Sequence, residues 1–174
     1  MKTIIFDLDG TLANTSGDLI VAANYCFRDM GYGELLDPIR DAPTALRGGR
    51  AMLRLGLSRV DALNEAVVGH YYPFLLMAYS QSISEHSYLF PSVRKVIRRL
   101  TDNGFILGIC TNKPEALAET LMRALKLRDP FLSLIGADTL ATRKPDPLPF
   151  YEAVKRAGGA LERSCLVGDT ITDY

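Results

Sequence analysis

The sequence predicts an α/β fold in which a parallel sheet with covering helices is interrupted, after its first strand, by an all-helical insertion. Three observations carry this expectation. From residue 83 onward, apolar runs of strand length alternate with stretches of helical periodicity. One further apolar strand opens the chain, and residues 14–82 between them show helical spacing without strand alternation. Polar residues with chemistry recur just past the C-terminal ends of the strands, where open parallel sheets bind their ligands.

The first strand is Thr3 to Asp7, built on Ile4-Ile5-Phe6. Within the insertion, Leu19, Ala22, Ala23, Cys26 and Phe27 repeat at helix spacing, and Gly31, Gly33, Pro38, Pro43 and Gly48-Gly49 punctuate the stretch after them. Val93, Val96, Ile97 and Leu100 then mark a helix opened by Pro91 and closed by Gly104. Phe105 to Cys110 is an apolar strand, and Pro114 to Leu125 a helix with proline at its start. Leu132 to Gly136 reads as a short strand and Pro147 to Ala157 as a helix ended by Gly158-Gly159. Ser164 to Val167 is the last strand. The chain thus divides into a Rossmann-like core of 1–13 and 83–174 and a helical insertion, 14–82. Right-handed crossovers are expected between the parallel strands.

Bulk properties narrow the function classes. With 174 residues, 48% of them hydrophobic, the chain can bury a substantial core. Net charge is zero and no basic stripe is visible, which excludes a general attraction for nucleic acid. No apolar run reaches membrane-spanning length, and the N-terminus enters a strand without a charged-then-apolar leader. The three cysteines, Cys26, Cys110 and Cys165, are odd in number. The last two lie in apolar strands and are expected as buried thiols, which points to a reducing, cytoplasmic setting.

Asp7-Leu8-Asp9-Gly10-Thr11 closes the first strand. Alternate strand residues share a face, so two carboxylates stand close together and resist joint ionisation without a cation or proton between them. That arrangement suits magnesium-dependent chemistry with one nucleophilic carboxylate and one general acid/base. Thr111-Asn112 ends the next core strand and opens a helix, where N–H groups and a hydroxyl can hold phosphate; a simple N-cap would use the same residues. Arg143-Lys144-Pro145-Asp146-Pro147 is a stiff loop that can present an ammonium to a cleft. Gly168-Asp169-Thr170-Ile171-Thr172-Asp173 supplies two more acids after the last strand, either as magnesium ligands or as local caps.

Taken in this order, the four motifs resemble those of the haloacid dehalogenase-like hydrolase superfamily, over nearly the whole chain. Thr111-Asn112-Lys113-Pro114, Arg143-Lys144-Pro145-Asp146-Pro147 and Gly168-Asp169-Thr170, with a helical cap directly after the first motif, are most similar to its phosphoglycolate phosphatase branch. The resemblance implies that Asp7 attacks phosphorus and becomes an aspartyl-phosphate. Asp9 would protonate the leaving oxygen and then help water attack. It assigns Mg2+ to the Asp7 carboxylate, the Asp9 carbonyl and Asp169, with Asp173 in or beside the metal site. Thr111 and Asn112 would hold phosphate oxygens and Lys144 would balance charge beside Asp7. The substrate would be a small phosphorylated metabolite, with 2-phosphoglycolate the leading candidate. A sugar-phosphate phosphatase or β-phosphoglucomutase-like phosphotransferase is the alternative enzyme, and a catalytically silent binding module the alternative of another class. The family normally continues beyond Asp173-Tyr174, so a truncated C-terminus and an unpaired last strand are expected.

Two further expectations concern the cap. Residues 14–82 contain no lysine, which argues against phosphonatase chemistry through a cap Schiff base. They do contain Arg28, Arg40, Arg47, Arg50, Arg54 and Arg59. Arg47 or Arg50, flanking Gly48-Gly49, is the candidate partner for a substrate carboxylate. Tyr71, Tyr72, Phe74 and Tyr79 are expected to pack cap helices together, and His70 and His86 to lie outside the chemistry.

Overall fold

The protein is seen in a computed structural model that describes residues 2–173. In chain order its strands are β1 (Thr3–Phe6), β2 (Ala13–Asn14), β3 (Tyr88–Leu89), β4 (Ile106–Cys110), β5 (Ser133–Ile135) and β6 (Ser164–Val167). The helices are α1 (Ser16–Asp29), α2 (Ala42–Ala45), α3 (Gly49–Ser58), α4 (Glu65–Gln81), α5 (Val93–Asp102), α6 (Glu115–Ala124) and α7 (Leu148–Arg156). The described residues form two compact units. One holds the chain up to Asn14 and from Tyr88 onward; the other is Thr15–Ser87.

The first unit is an α/β sheet of order β5-β4-β1-β6, parallel throughout. β1 sits inside it, with Thr3 to Phe6 opposite Ile106 to Ile109 on one side and Ser164 to Val167 on the other. Strands covered on both faces should be apolar throughout, and all five residues of β4 are buried. Ile5, Cys110, Ile135, Ala153 and Val154 form the core beneath α7, with Phe150 and Leu166 against them. Removing a side chain such as Ile5 from water stabilises the fold by about 1.5–3 kcal/mol. The Ser133 hydroxyl donates to the Ala153 carbonyl at 2.7 Å, tying β5 to α7. On α5 the predicted apolar stripe is only partly used: Ile97 is buried, but Val96 is 47% exposed.

The structure corrects one expectation. Cys110 is buried, but Cys165 is exposed. Strand β6 is a sheet edge whose burial alternates, and Cys165 and Val167 fall on its open positions. Two short strands are additions to the sequence reading: β2 and β3 pair antiparallel where the chain leaves and re-enters the first unit.

The second unit is all helical. Phe27, Met52, Leu53, Leu57, Val68, Leu75 and Tyr79 are fully buried within it, so Tyr79 packs as expected, while Phe74 remains 42% exposed. Arg59 grips Asp41 with two hydrogen bonds, at 2.7 and 2.6 Å, and these hold the Asp41 carboxyl at about 2. The unit runs on to Ser87 because buried Asp18 accepts hydrogen bonds from the His86 N–H at 2.7 Å and the Ser87 hydroxyl at 2.5 Å. No helix among the described residues is long and apolar enough to cross a membrane.

Candidate active site

Asp7 lies one residue past β1, where its N–H donates to the Val167 carbonyl at 2.8 Å and extends the ladder to β6. Leu8, fully buried, turns into the core and Asp9 comes next. The chain then reverses, with the Gly10 N–H donating to the Ala13 carbonyl at 2.9 Å. Gly10 has φ +87°, and a Cβ there would stand 2.2 Å from an Asp169 carboxylate oxygen. Glycine is required on both counts.

The turn after β4 begins with Thr111, whose N–H donates to the Ile135 carbonyl at 2.9 Å. Its hydroxyl oxygen accepts from the Lys113 N–H at 3.2 Å, which leaves the O–H free to donate. The N-cap expectation for Asn112 is not met. The Glu115 N–H, in the first turn of α6, is held instead by the Asp138 carboxylate at 2.8 Å. The Asn112 amide donates to the Lys144 carbonyl at 3.1 Å, so the second motif braces the third. Its second N–H can serve a ligand.

The Lys144 ammonium is 2.9 Å from Asp7 Oδ1 and 2.5 Å from Asp173 Oδ1. The three side chains are 3%, 8% and 4% exposed. Asp173 also accepts from the Thr170 N–H and hydroxyl at 2.9 and 2.8 Å. Gly168 makes room for this loop, since a Cβ there would stand 2.3 Å from the Asp173 carboxyl carbon. Asp169 accepts from the Thr11 hydroxyl at 2.8 Å. Asp9 has a cation of its own, with Lys113 Nζ 3.1 Å from its Oδ1.

These contacts set the electrostatics. Burial pushes the Asp7 carboxyl up to about 6; Lys144 opposes that shift, and Asp9 and Asp173 add to it. Burial would lower the Lys144 ammonium, but the charges and hydrogen bonds of Asp7 and Asp173 outweigh it and the net direction is up. Burial would raise Asp173; hydrogen bonds from Lys144 and Thr170 win and hold it down.

Carboxylate oxygens of Asp7, Asp169 and Asp173 lie within 4.8 Å of one another. With Asp9 the cluster has four acids against two lysines, so the fully ionised site is two charges negative. A hard divalent cation that takes a few carboxylate oxygens and keeps its waters fits this donor set.

Of the residues singled out in the sequence, Asp7, Asp9, Thr111, Asn112, Lys144, Asp169 and Asp173 all fall at the C-terminal end of the sheet in the first unit. Arg47 and Arg50 belong to the helical unit. There Arg28, Arg40, Arg54 and Arg59 each face a carboxylate. Among the described residues Arg47 and Arg50 make no close ion pair; Arg47 is exposed, and the Arg50 guanidinium lies 4.2 Å over the Tyr72 ring, with its charge felt by the Glu65 carboxylate. His70 and His86 are exposed. Sequence reasoning misses two members of the cluster: Thr11, which steadies Asp169, and Lys113. Lys113 carries a signal in its place between Asn112 and Pro114, but its burial depends on the fold.

Known proteins resemble this chain along nearly its whole length. The family model described as haloacid dehalogenase-like hydrolase matches residues 4–174. A phosphoglycolate phosphatase of Xanthomonas campestris pv. campestris (strain 8004) is 36% identical over 174 residues, which is 99% of this chain and 76% of that protein. One from Mesorhizobium japonicum is 36% identical over 173 residues, covering 98% and 75%. Among solved structures, a predicted phosphoglycolate phosphatase from Haemophilus somnus 129PT superposes with TM-score 0.82 at 25% identity, covering 99% of this chain and 79% of that one.

Proposed function

The chain belongs to the haloacid dehalogenase-like hydrolases and is a phosphatase, and on that premise we propose that it hydrolyses 2-phosphoglycolate through an aspartyl-phosphate on Asp7. The observation that carries this is the meeting of Asp7, Asp169 and Asp173 beside the buried Lys144 ammonium.

Asp7 is held by the β1–β6 ladder at a fixed place, and Lys144 restrains one of its oxygens. The other is available to attack phosphorus. Phosphoryl transfer needs positioning and charge stabilisation above all, and a rigid nucleophile supplies the first. Thr111 and Asn112 offer an O–H and an N–H to oxygens of the transferring group. Lys144 offsets negative charge that gathers around Asp7 as the phosphoryl group arrives. Asp9 donates a proton to the departing alkoxide and later takes one from the water that hydrolyses the intermediate. Mg2+ held by Asp7, Asp169 and the Asp9 carbonyl, with Asp173 beside it, would offset the cluster's excess negative charge and polarise the phosphoryl oxygens.

An alkyl leaving group explains why an acid stands two residues after the nucleophile. For the substrate's carboxylate, Arg47 and Arg50 are the candidates, being cap guanidiniums that no close ion pair holds among the described residues. The names of the relatives support 2-phosphoglycolate. The free thiols support a reducing, cytoplasmic setting for the enzyme.

The test is phosphate release from a panel of small phosphomonoesters, with and without magnesium, with Asp7→Asn as control. Magnesium-dependent turnover that is lost in Asp7→Asn and highest on 2-phosphoglycolate is the expected result. A sugar phosphate as best substrate redirects the specificity; no turnover on any ester refutes the phosphatase mechanism.

A further inference from the structure

We propose that Lys113 is the positioning residue for Asp9: its ammonium fixes one carboxylate oxygen of the acid/base, so that proton transfer to the leaving group is made from a single orientation. This rests on the phosphatase reading above.

The pair is 3.1 Å apart, with side chains 4% and 16% exposed. A lysine this deeply buried is rare without a partner. The partner does not explain it on stability alone, because the cost of desolvating a buried ion pair about cancels the attraction. Nor does Lys113 merely duplicate Lys144. Lys144 is committed to Asp7 and Asp173, which leaves the charge and rotation of Asp9 to another group.

The backbone that carries Lys113 is fixed from both sides. Its N–H is held by the Thr111 hydroxyl at 3.2 Å, its carbonyl accepts from the Ala137 N–H at 2.9 Å, and Pro114 restricts the next step. A long side chain that leaves a pinned backbone and is buried to its end has few rotamers left. It can therefore hold its partner to the tolerance that proton transfer requires. Asp9 needs such support, since it stands beyond the end of β1, just before the positive-φ turn at Gly10. Its backbone is held by a bridge to Ala13, but its side chain has rotations of its own, and a misplacement of about 1 Å can cost about a hundredfold in rate.

General acid assistance matters for an alkoxide leaving group and hardly at all for p-nitrophenolate, which departs without a proton. The parameter kcat/KM reports binding and the first chemical step only. The experiment therefore compares kcat/KM for 2-phosphoglycolate and p-nitrophenyl phosphate, with saturating magnesium, in the unaltered chain, Asp9→Asn, Lys113→Met and Lys113→Arg. Circular dichroism and melting of each variant are recorded alongside.

The expected result is that Asp9→Asn and Lys113→Met both lose more on the alkyl ester than on the aryl ester, by a factor of about ten or more, where full general acid assistance supplies about 10²–10⁴-fold. Lys113→Arg, which keeps a cation on a long stem, recovers part of the selective loss. Equal losses on both esters in Lys113→Met, or a Lys113→Arg chain that folds and recovers none of the selective loss, overturn the positioning role. They do so while Asp9→Asn keeps its leaving-group signature and the phosphatase reading stands. Absence of that signature in Asp9→Asn, or of turnover in the unaltered chain, overturns the mechanism and the Lys113 role together.

Discussion

The Lys144 ammonium and the Asp7 carboxylate meet at 2.9 Å with both side chains nearly closed to water. Neither charge is tolerable there alone, and Asp173 makes a third member at 2.5 Å from the same nitrogen. Lys144→Met should leave two buried carboxylates facing one another. The expected outcome is a loss of about 3 kcal/mol of stability in the metal-free protein, partly recovered by magnesium, and loss of turnover. Differential scanning calorimetry with and without magnesium checks this; an unchanged melting temperature in the metal-free variant refutes it.

Asp7 sits at about 6 in the metal-free fold against an ordinary 3.8. The folded chain thus holds this proton more tightly than the unfolded one. Its contribution to stability is complete below the ordinary value and is lost as pH rises through about 6. Magnesium needs the carboxylate, so binding should release a proton below this pH. Apparent affinity should rise toward about 6 and level off above it. Calorimetric titration in buffers of different ionisation enthalpy measures both quantities, and a flat affinity across the range counts against it.

Gly10 combines a left-handed φ with a Cβ position 2.2 Å from Asp169. Gly10→Ala should cost about 1–3 kcal/mol of backbone strain and displace Asp169 from the Thr11 hydroxyl. Magnesium affinity should fall at least tenfold, while Asp7→Asn, which loses a charge but no geometry, weakens magnesium without comparable strain. Melting curves and metal titration of the two variants separate these effects.

The cap arginines make a specificity prediction. Arg50→Ala should raise KM for 2-phosphoglycolate about tenfold, worth ~1.4 kcal/mol, and more than it raises KM for p-nitrophenyl phosphate, which has no carboxylate. Arg47→Ala is the companion measurement. If neither variant separates the two esters, the carboxylate is recognised elsewhere.

Much of the sheet is legible in the sequence because its strands are apolar runs with chemistry at their ends. Ser164–Val167 is readable to the residue, and Asp7 and Thr111 directly follow strands where strand ends are expected, while Lys144 lies in the loop between β5 and α7. Two-residue strands such as β2 and β3 carry no periodicity and exist only because the chain passes the same point twice. The role of Asn112 is not legible because an N-cap needs only local sequence, whereas its true partner, the Lys144 carbonyl, is 32 residues away. Cys165 reads as buried because an apolar run does not say whether its strand lies at the centre or the edge of the sheet. Lys113 is hidden for the same kind of reason: a lysine before a proline is an ordinary surface residue until a fold encloses it.

The pairing of β1 with β6 joins Thr3 to Ser164, and with it the two strands of the sheet most distant along the chain. Closing so long a loop is slow, and the nascent chain presents β1 long before β6 leaves the ribosome. Asp7 is therefore made early and waits while Lys144, Asp169 and Asp173 are still to be synthesised. On the proposed mechanism the site is incomplete until β6 and the loop beyond it have been made, so the nucleophile precedes its charge partners in time.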